Sequence, residues 1–180
     1  MKNYFENGNE LYAAKIRPDA IIPTKRDEDA GYDIYSSFDG DFLVIPSLST
    51  VAVPSGVAMA TSSDYYIQVE ERGSTGKIGL KKSAGVMDSG YRGEYLILLT
   101  NANKKDIVIS KVDAEKLGKS FTVNGKKYKT KDVIIYPQKK AIAQLVVLPV
   151  PKMQTKEITY EELKNIPSLR GDGKYGSSKK

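Results

Sequence analysis

AGVMDSGYRGEYLILLTN, residues 84–101, sets a tight glycine-rich turn directly against an apolar strand. The turn holds a single carboxylate, Asp88, and an aromatic ring, Tyr91, three residues later. The same alternation of turn and strand recurs along the chain. LYAAKIR, DFLVIP, TVAVPSGVAMA, YYIQVEE, DIVISKV, DVIIYP and AIAQLVVLPV are short apolar or alternating runs separated by Gly, Pro, Asn, Asp and Ser. Val, Ile and Tyr suit a pleated, half-buried surface, so the pattern predicts many short strands. The expected fold is all-β, of the jelly-roll type. YEELKN, near Tyr160, is the one stretch that reads as a helical turn, and Pro167 would soon stop it.

A length of 180 residues with 40% hydrophobic side chains suits a single domain, 1–180, able to bury a real core. The chain contains neither Cys nor His. Disulfides, thiolate nucleophiles, Cys-ligated zinc and the commonest general base are thereby excluded. Catalysis must rest on carboxylates, hydroxyls, Lys, Arg and an oxygen-bound hard cation. MKNYFENGNELY has no apolar core for a signal peptide, and no apolar run approaches bilayer length. A cytoplasmic protein without membrane contact is expected.

The net charge of +6 is unevenly spread. Residues 102–140 contain 11 Lys and 4 acids, an excess of +7 that leaves the remainder at −1. Inside this stretch, FTVNGKKYK places Asn124-Gly125 between alternating residues, a strong hairpin signal because both turn residues tolerate positive φ. Residues 103–139 are therefore read as a Lys-rich β-hairpin insertion. Such a cluster attracts polyanions, although a charge run is more often a solvated face, and nucleic acid is not the expected partner. After Pro167 the chain turns small, polar and Gly-rich, so 168–180 is expected to form a flexible C-terminal arm.

Four stretches carry chemistry. In DEDAGYDIYSS, Asp33 projects from the start of a strand, either as a charged loop edge or as a hard-cation contact, direct or through water. EERGSTGKIGLKK gathers Arg72, Ser74, Thr75 and Gly76, whose guanidinium, hydroxyls and backbone N–H groups suit phosphate oxygens. Asp88 could take a proton from a water held within about 3 Å. RGDGKYGSS reads either as a phosphate-gripping loop around an aromatic or as a plain tail.

In this order, AGYDIYSS, RGSTGKIGL, AGVMDSGYRG, AIAQLVV and RGDGKYGSS resemble the five motifs of the trimeric dUTPases. The resemblance spans about residues 12 to 178 and implies a jelly-roll subunit of a threefold homotrimer, with each site built from more than one chain. It implies hydrolysis of dUTP to dUMP and pyrophosphate with Mg²⁺ as cofactor. Asp33 would help hold the ion through water, and Arg72 and Ser74 would contact phosphate. Asp88 would activate the attacking water, while Tyr91 would pack on the deoxyribose where a 2′-OH would not fit. Gln144 would meet the α-phosphate region and Arg170 the γ-phosphate. Tyr175 would stack on uracil, and Ser177 and Ser178 would hold phosphate oxygens.

Some positions depart from the motifs. Gly73 takes a common Ser position, Ala141 a common Arg position, Lys174 a common Gly position and Tyr175 that of a stacking Phe. The segment between the third and fourth motifs resembles that of phage-encoded dUTPases, including staphylococcal phage relatives that also bind a repressor. A repressor-like protein partner through 103–139 is the corresponding expectation. The rival readings are a dCTP deaminase-like enzyme and a jelly-roll partner-binding protein. The first needs a proton-shuttling Glu ten residues past Asp88, where Leu98 stands, and Glu94 falls at the wrong offset.

Overall fold

The computed structural model describes residues 4–6 and 8–172, and the chain divides into two compact units, Met1–Val150 and Pro151–Lys180. Among the described residues the first unit carries fourteen strands. They are β1 (Tyr12–Lys15), β2 (Gly31–Ile34), β3 (Phe42–Ile45), β4 (Thr50–Pro54), β5 (Val57–Ala60), β6 (Tyr65–Glu70), β7 (Leu80–Lys82), β8 (Val86–Met87), β9 (Leu96–Asn101), β10 (Ile107–Ser110), β11 (Ser120–Val123), β12 (Lys126–Lys129), β13 (Ile134–Pro137) and β14 (Ala143–Pro149). A one-turn helix, α1 (Gly73–Lys77), separates β6 from β7. The strands pair as β1-β5, β13-β10-β3, β11-β12, β2-β14-β6-β8 and β4-β9-β7. Partners are mostly distant in sequence, as the crossovers of a jelly roll require, and the expected all-β fold is what the chain adopts.

Alternation explains the burial. In β9, Ile97, Leu99 and Asn101 are buried while Leu96 is exposed, and in β6 Ile67 and Val69 point inward. Ile67, Val69, Ile97 and Leu99 join Ile34, Ile45, Val53, Leu80, Ile107, Ile109 and Leu145 in a single core. Each fully buried aliphatic side chain is worth about 1.5–3 kcal/mol. The one buried Asn in β9 is satisfied: Asn101 Nδ2 donates to the carbonyls of Ile45 at 3.0 Å and Lys105 at 2.9 Å.

The Lys-rich stretch is structurally composite, and this corrects its reading as one hairpin insertion. Its two ends are core strands. β10 pairs antiparallel with β3 and parallel with β13, and Ile107, Val108 and Ile109 are all completely buried. Only the middle forms the hairpin, β11-β12, which turns at Asn124 and Gly125 with φ of 49° and 79°. Phe121 of the hairpin packs against Phe42 of β3 with ring centroids 4.9 Å apart, and Tyr128 stacks on Phe121 at 5.8 Å. Phe42 lies on the face of β3 opposite to Ile45, so the hairpin covers the outer side of this sheet and β10 becomes apolar on both faces.

In the second unit every described residue is exposed. Its helix α2 (Tyr160–Lys164) is capped by Thr159, whose Oγ1 accepts from the Glu162 N–H at 3.2 Å while Glu162 reaches back to the Thr159 N–H at 2.8 Å. Residues 168–172 of the expected arm fall inside this unit, and 173–180 lie outside the described residues. No helix among the described residues is long and apolar enough to cross a membrane.

Candidate active site

Two ladders bring the first cluster together. The β2-β14 register sets Asp33 opposite Gln144, and the β14-β6 register sets Gln144 opposite Glu70. Beyond β6 the chain enters α1 through Arg72. The stretch RGSTG is thus a helical turn rather than a plain loop, and Thr75 is what fastens it. The Thr75 hydroxyl donates to the Arg72 carbonyl at 3.0 Å and accepts from the Arg72 N–H at 3.2 Å. Thr75 is 1% exposed, so its hydroxyl shapes the turn and does not face solvent.

The Arg72 guanidinium is fixed by a bidentate pair with Asp33, Nε to Oδ1 at 2.8 Å and Nη2 to Oδ2 at 3.1 Å. Its Nη1 donates to Ser74 Oγ at 3.3 Å. Gln144 Nε2 donates to the Glu71 carbonyl at 2.8 Å, which orients the amide. Gly31 has a steric reason to be glycine: a Cβ there would stand 2.6 Å from Gln144 Oε1. These residues line a pocket of about 830 Å³, with Gly73 and the loop Lys25, Arg26, Glu28 and Asp29 completing the wall. Arg26 grips Asp29 through Nε at 2.8 Å and Nη2 at 2.9 Å, and this hydrogen bonding holds the Asp29 carboxyl below the usual carboxylate range.

Asp88 and Tyr91 sit elsewhere, on a separate and well-braced turn. The Tyr91 N–H donates to the Asp88 carbonyl at 3.0 Å, closing a tight turn that leaves the Asp88 side chain exposed. Two anchors hold its far end: Glu94 Oε1 accepts from the Gly56 N–H at 2.7 Å, and the Tyr95 N–H donates to the Val57 carbonyl at 2.9 Å. The Tyr91 hydroxyl donates to the Glu94 carbonyl at 3.1 Å, and its ring stacks on Tyr95 with centroids 6.1 Å apart. Burial pushes the Tyr95 phenol up to about 12, so it stays protonated and acts as a wall. A side chain on Gly93 would run into the Tyr91 ring, so glycine there is what admits the ring.

Asp33, Arg72, Ser74 and Gln144 are therefore gathered in one pocket, and Asp88 and Tyr91 are not among its lining residues. Thr75, expected as a substrate contact, is buried in its own turn, and Gly76 does not line the pocket either. Gly73, a departure from the motif, does line it. Arg170 belongs to the second unit, where its N–H donates to Ser168 Oγ at 3.2 Å. Tyr175, Ser177 and Ser178 lie outside the described residues. Sequence reasoning missed the 25–29 loop and the bidentate character of the Asp33–Arg72 pair. The run KRDED was the available sign of the former.

Comparison with known proteins defines the class. The dUTPase family model matches residues 17–114. The deoxyuridine 5′-triphosphate nucleotidohydrolase of Candida albicans is 30% identical over 181 residues, covering 99% of this chain and 94% of that protein. That of Debaryomyces hansenii is 32% identical over 163 residues, covering 89% and 82%. Among solved structures, the dUTPase of Staphylococcus bacteriophage 80alpha with dUpNHpp superposes with a TM-score of 0.70 at 24% identity, covering 94% of this chain and 98% of that one. A variant dUTPase of phage phi11 of S. aureus, whose structure details a structural Mg(II) ion, gives 0.61 at 21% identity, covering 83% and 97%. The class is that of jelly-roll nucleotide hydrolases. The chain belongs to the dUTPase family, and it is an enzyme, a dUTP diphosphatase.

Proposed function

We propose that the chain hydrolyses dUTP to dUMP and pyrophosphate by attack of an Asp88-activated water on the α-phosphorus. The observation that carries this reading is the Arg72 guanidinium, held by Asp33 in a pocket that also presents Ser74 and Gln144. Arg is a forked donor suited to phosphate oxygens, and a donor fixed in advance loses little entropy on binding. Asp88 takes the proton of the attacking water, and Tyr91, braced by Tyr95 and the Glu94 carbonyl, excludes a ribose 2′-OH beside it. Arg170 meets the γ-phosphate, Tyr175 stacks on uracil, and Ser177 and Ser178 hold phosphate oxygens.

The pocket and the Asp88 turn are separate on one chain, which supports sites completed by neighbouring copies in a homotrimer. The donor chemistry of the pocket fits a hydrated hard cation. Among the described residues no three carboxylates cluster as a protein cage. Asp33 nevertheless presents a partly exposed carboxylate at the pocket, with side-chain exposure of 32%. Asp33 would hold Mg²⁺ through water, and the ion would neutralise phosphate charge. Deamination of dCTP is disfavoured: Leu98 lies in β9 opposite Ala52, and Glu94 spends an oxygen on the Gly56 N–H.

Product analysis on dUTP, dCTP, UTP and dTTP tests this directly. The expected result is dUMP and pyrophosphate from dUTP alone, abolished by a chelator and restored by Mg²⁺. Ammonia from dCTP would refute it, as would equal turnover of UTP.

A second role rests on the hairpin. Lys119, Lys127, Lys129 and Lys131 line a concavity of about 740 Å³ with Ser120 and Thr130. Four ammonium groups around one hollow suit a partner's acidic side chains, and the resemblance to repressor-binding phage relatives points the same way. Reversing these four lysines to Glu should abolish co-elution with such a repressor and leave dUTP hydrolysis within about twofold, because the site lies on the outer face of the sheet. Undiminished co-elution would place the partner surface elsewhere.

A further inference from the structure

Two adjacent rungs pin residues 94 and 95 to residues 56 and 57. The Tyr95 N–H donates to the Val57 carbonyl at 2.9 Å, and the half-buried Glu94 carboxylate accepts from the Gly56 N–H at 2.7 Å. A side chain makes this second rung, while the Glu94 carbonyl accepts from the Tyr91 hydroxyl at 3.1 Å. Glu94 therefore grips Gly56 with its carboxylate and the Tyr91 ring with its backbone. Gly56 is a fixed point. It is buried with a φ of 70°, and its carbonyl accepts from the N–H groups of Ile16 at 2.7 Å and Arg17 at 3.3 Å. A Cβ at Gly56 would stand 2.8 Å from Ala20 Cβ and 2.9 Å from Ser37 Cβ, so the packing there leaves no slack. A buried N–H left unpaired costs more than its hydrogen bond gains, which makes the carboxylate the group that sets where the turn lies against β4 and β5.

We infer that Glu94 is a positioning residue for sugar selection: by accepting from Gly56 it fixes the height of the Tyr91 ring, and with it the room left for a ribose 2′-OH. The inference rests on the reading of Tyr91 given above. A misplacement of about 1 Å can cost about a hundredfold in rate, so a small slip of the ring is enough to blur the choice between two sugars that differ by one oxygen.

The test is the ratio of kcat/KM for dUTP to that for UTP. Glu94→Asp keeps the charge and loses the reach, and Glu94→Ala loses both. Each should lower the ratio about tenfold, the size of one unsatisfied buried donor. Glu94→Gln keeps an oxygen able to accept from Gly56 and should hold the ratio within twofold of the wild type. A lowered melting temperature with an unchanged ratio in Glu94→Asp would make Glu94 merely structural and overturn the inference, as would a Glu94→Gln enzyme as unselective as Glu94→Ala. Tyr91→Ala separates the two levels: a wild-type ratio there would bring down the reading of Tyr91, whereas a collapsed ratio there with an intact one in Glu94→Asp would refute the role of Glu94 alone.

Discussion

Asp88→Asn is expected to lower kcat for dUTP by about 10²- to 10⁴-fold, the usual contribution of a positioned general base. The amide keeps the shape of the carboxylate but cannot take the proton of the attacking water. That range corresponds to about 2.7–5.5 kcal/mol of transition-state stabilisation. Folding should be untouched. The turn uses the Asp88 backbone carbonyl, which accepts from the Tyr91 N–H, and the side chain is exposed. Asn is also at home in tight turns. Binding of a non-hydrolysable dUTP analogue should therefore match the wild type, and single-turnover kinetics would locate the loss in the chemical step. Near-normal turnover would show that some other group is the base.

The second large effect is expected on binding. Arg72→Ala removes the proposed donor to phosphate and at the same time strips Asp33 of its bidentate partner, leaving a carboxylate facing an incoming triphosphate. Both consequences act in the same direction. Hydrogen bonds to charged groups are worth about 1.5–3 kcal/mol, so KM for dUTP should rise by about 10- to 150-fold. Lys at this position should rescue little, because a point charge cannot hold the carboxylate through two parallel bonds. Adding Asp33→Asn to Arg72→Ala should recover part of the affinity by removing the repelling charge, even though Asp33 is a proposed water-mediated contact of the cation. A KM that stays at the wild-type value in Arg72→Ala would remove the central assumption about the pocket.

What was legible in the sequence was local. Asn124-Gly125 announced a turn because both positions require positive φ, and the chain adopts it there. The glycine-rich turn before YLILLT and the alternating strands were visible for the same reason: each depends on residues within a few positions of one another. The Asp33–Arg72 pair spans 39 positions and exists only because β2, β14 and β6 adopt one particular register. No spacing rule exposes that. Tyr136 was invisible as a polar residue, since IIYP reads as an apolar strand until its hydroxyl is seen against Ala141. The Lys-rich segment shows a different failure. Counting charges over a window averages the ends, DIVIS and VIIYP, with the charged middle, although both runs carry a strand pattern. Thr75 is ambiguous from sequence because a hydroxyl beside Arg and Ser suits either phosphate or its own backbone, and only burial separates the two.

The parallel pairing of β10 with β13 has an evolutionary corollary. Parallel neighbours cannot be joined by a tight hairpin, so some crossover between Ser110 and Ile134 is obligatory, and here its two ends are clamped by the ladder. With the ends held, the entropy of closing such a loop grows only logarithmically, by about 0.6 kcal/mol for each doubling of length. The crossover is therefore a slot in which residues can be gained, lost or exchanged at small thermodynamic cost, while selection on the nucleotide pocket proceeds independently on other strands.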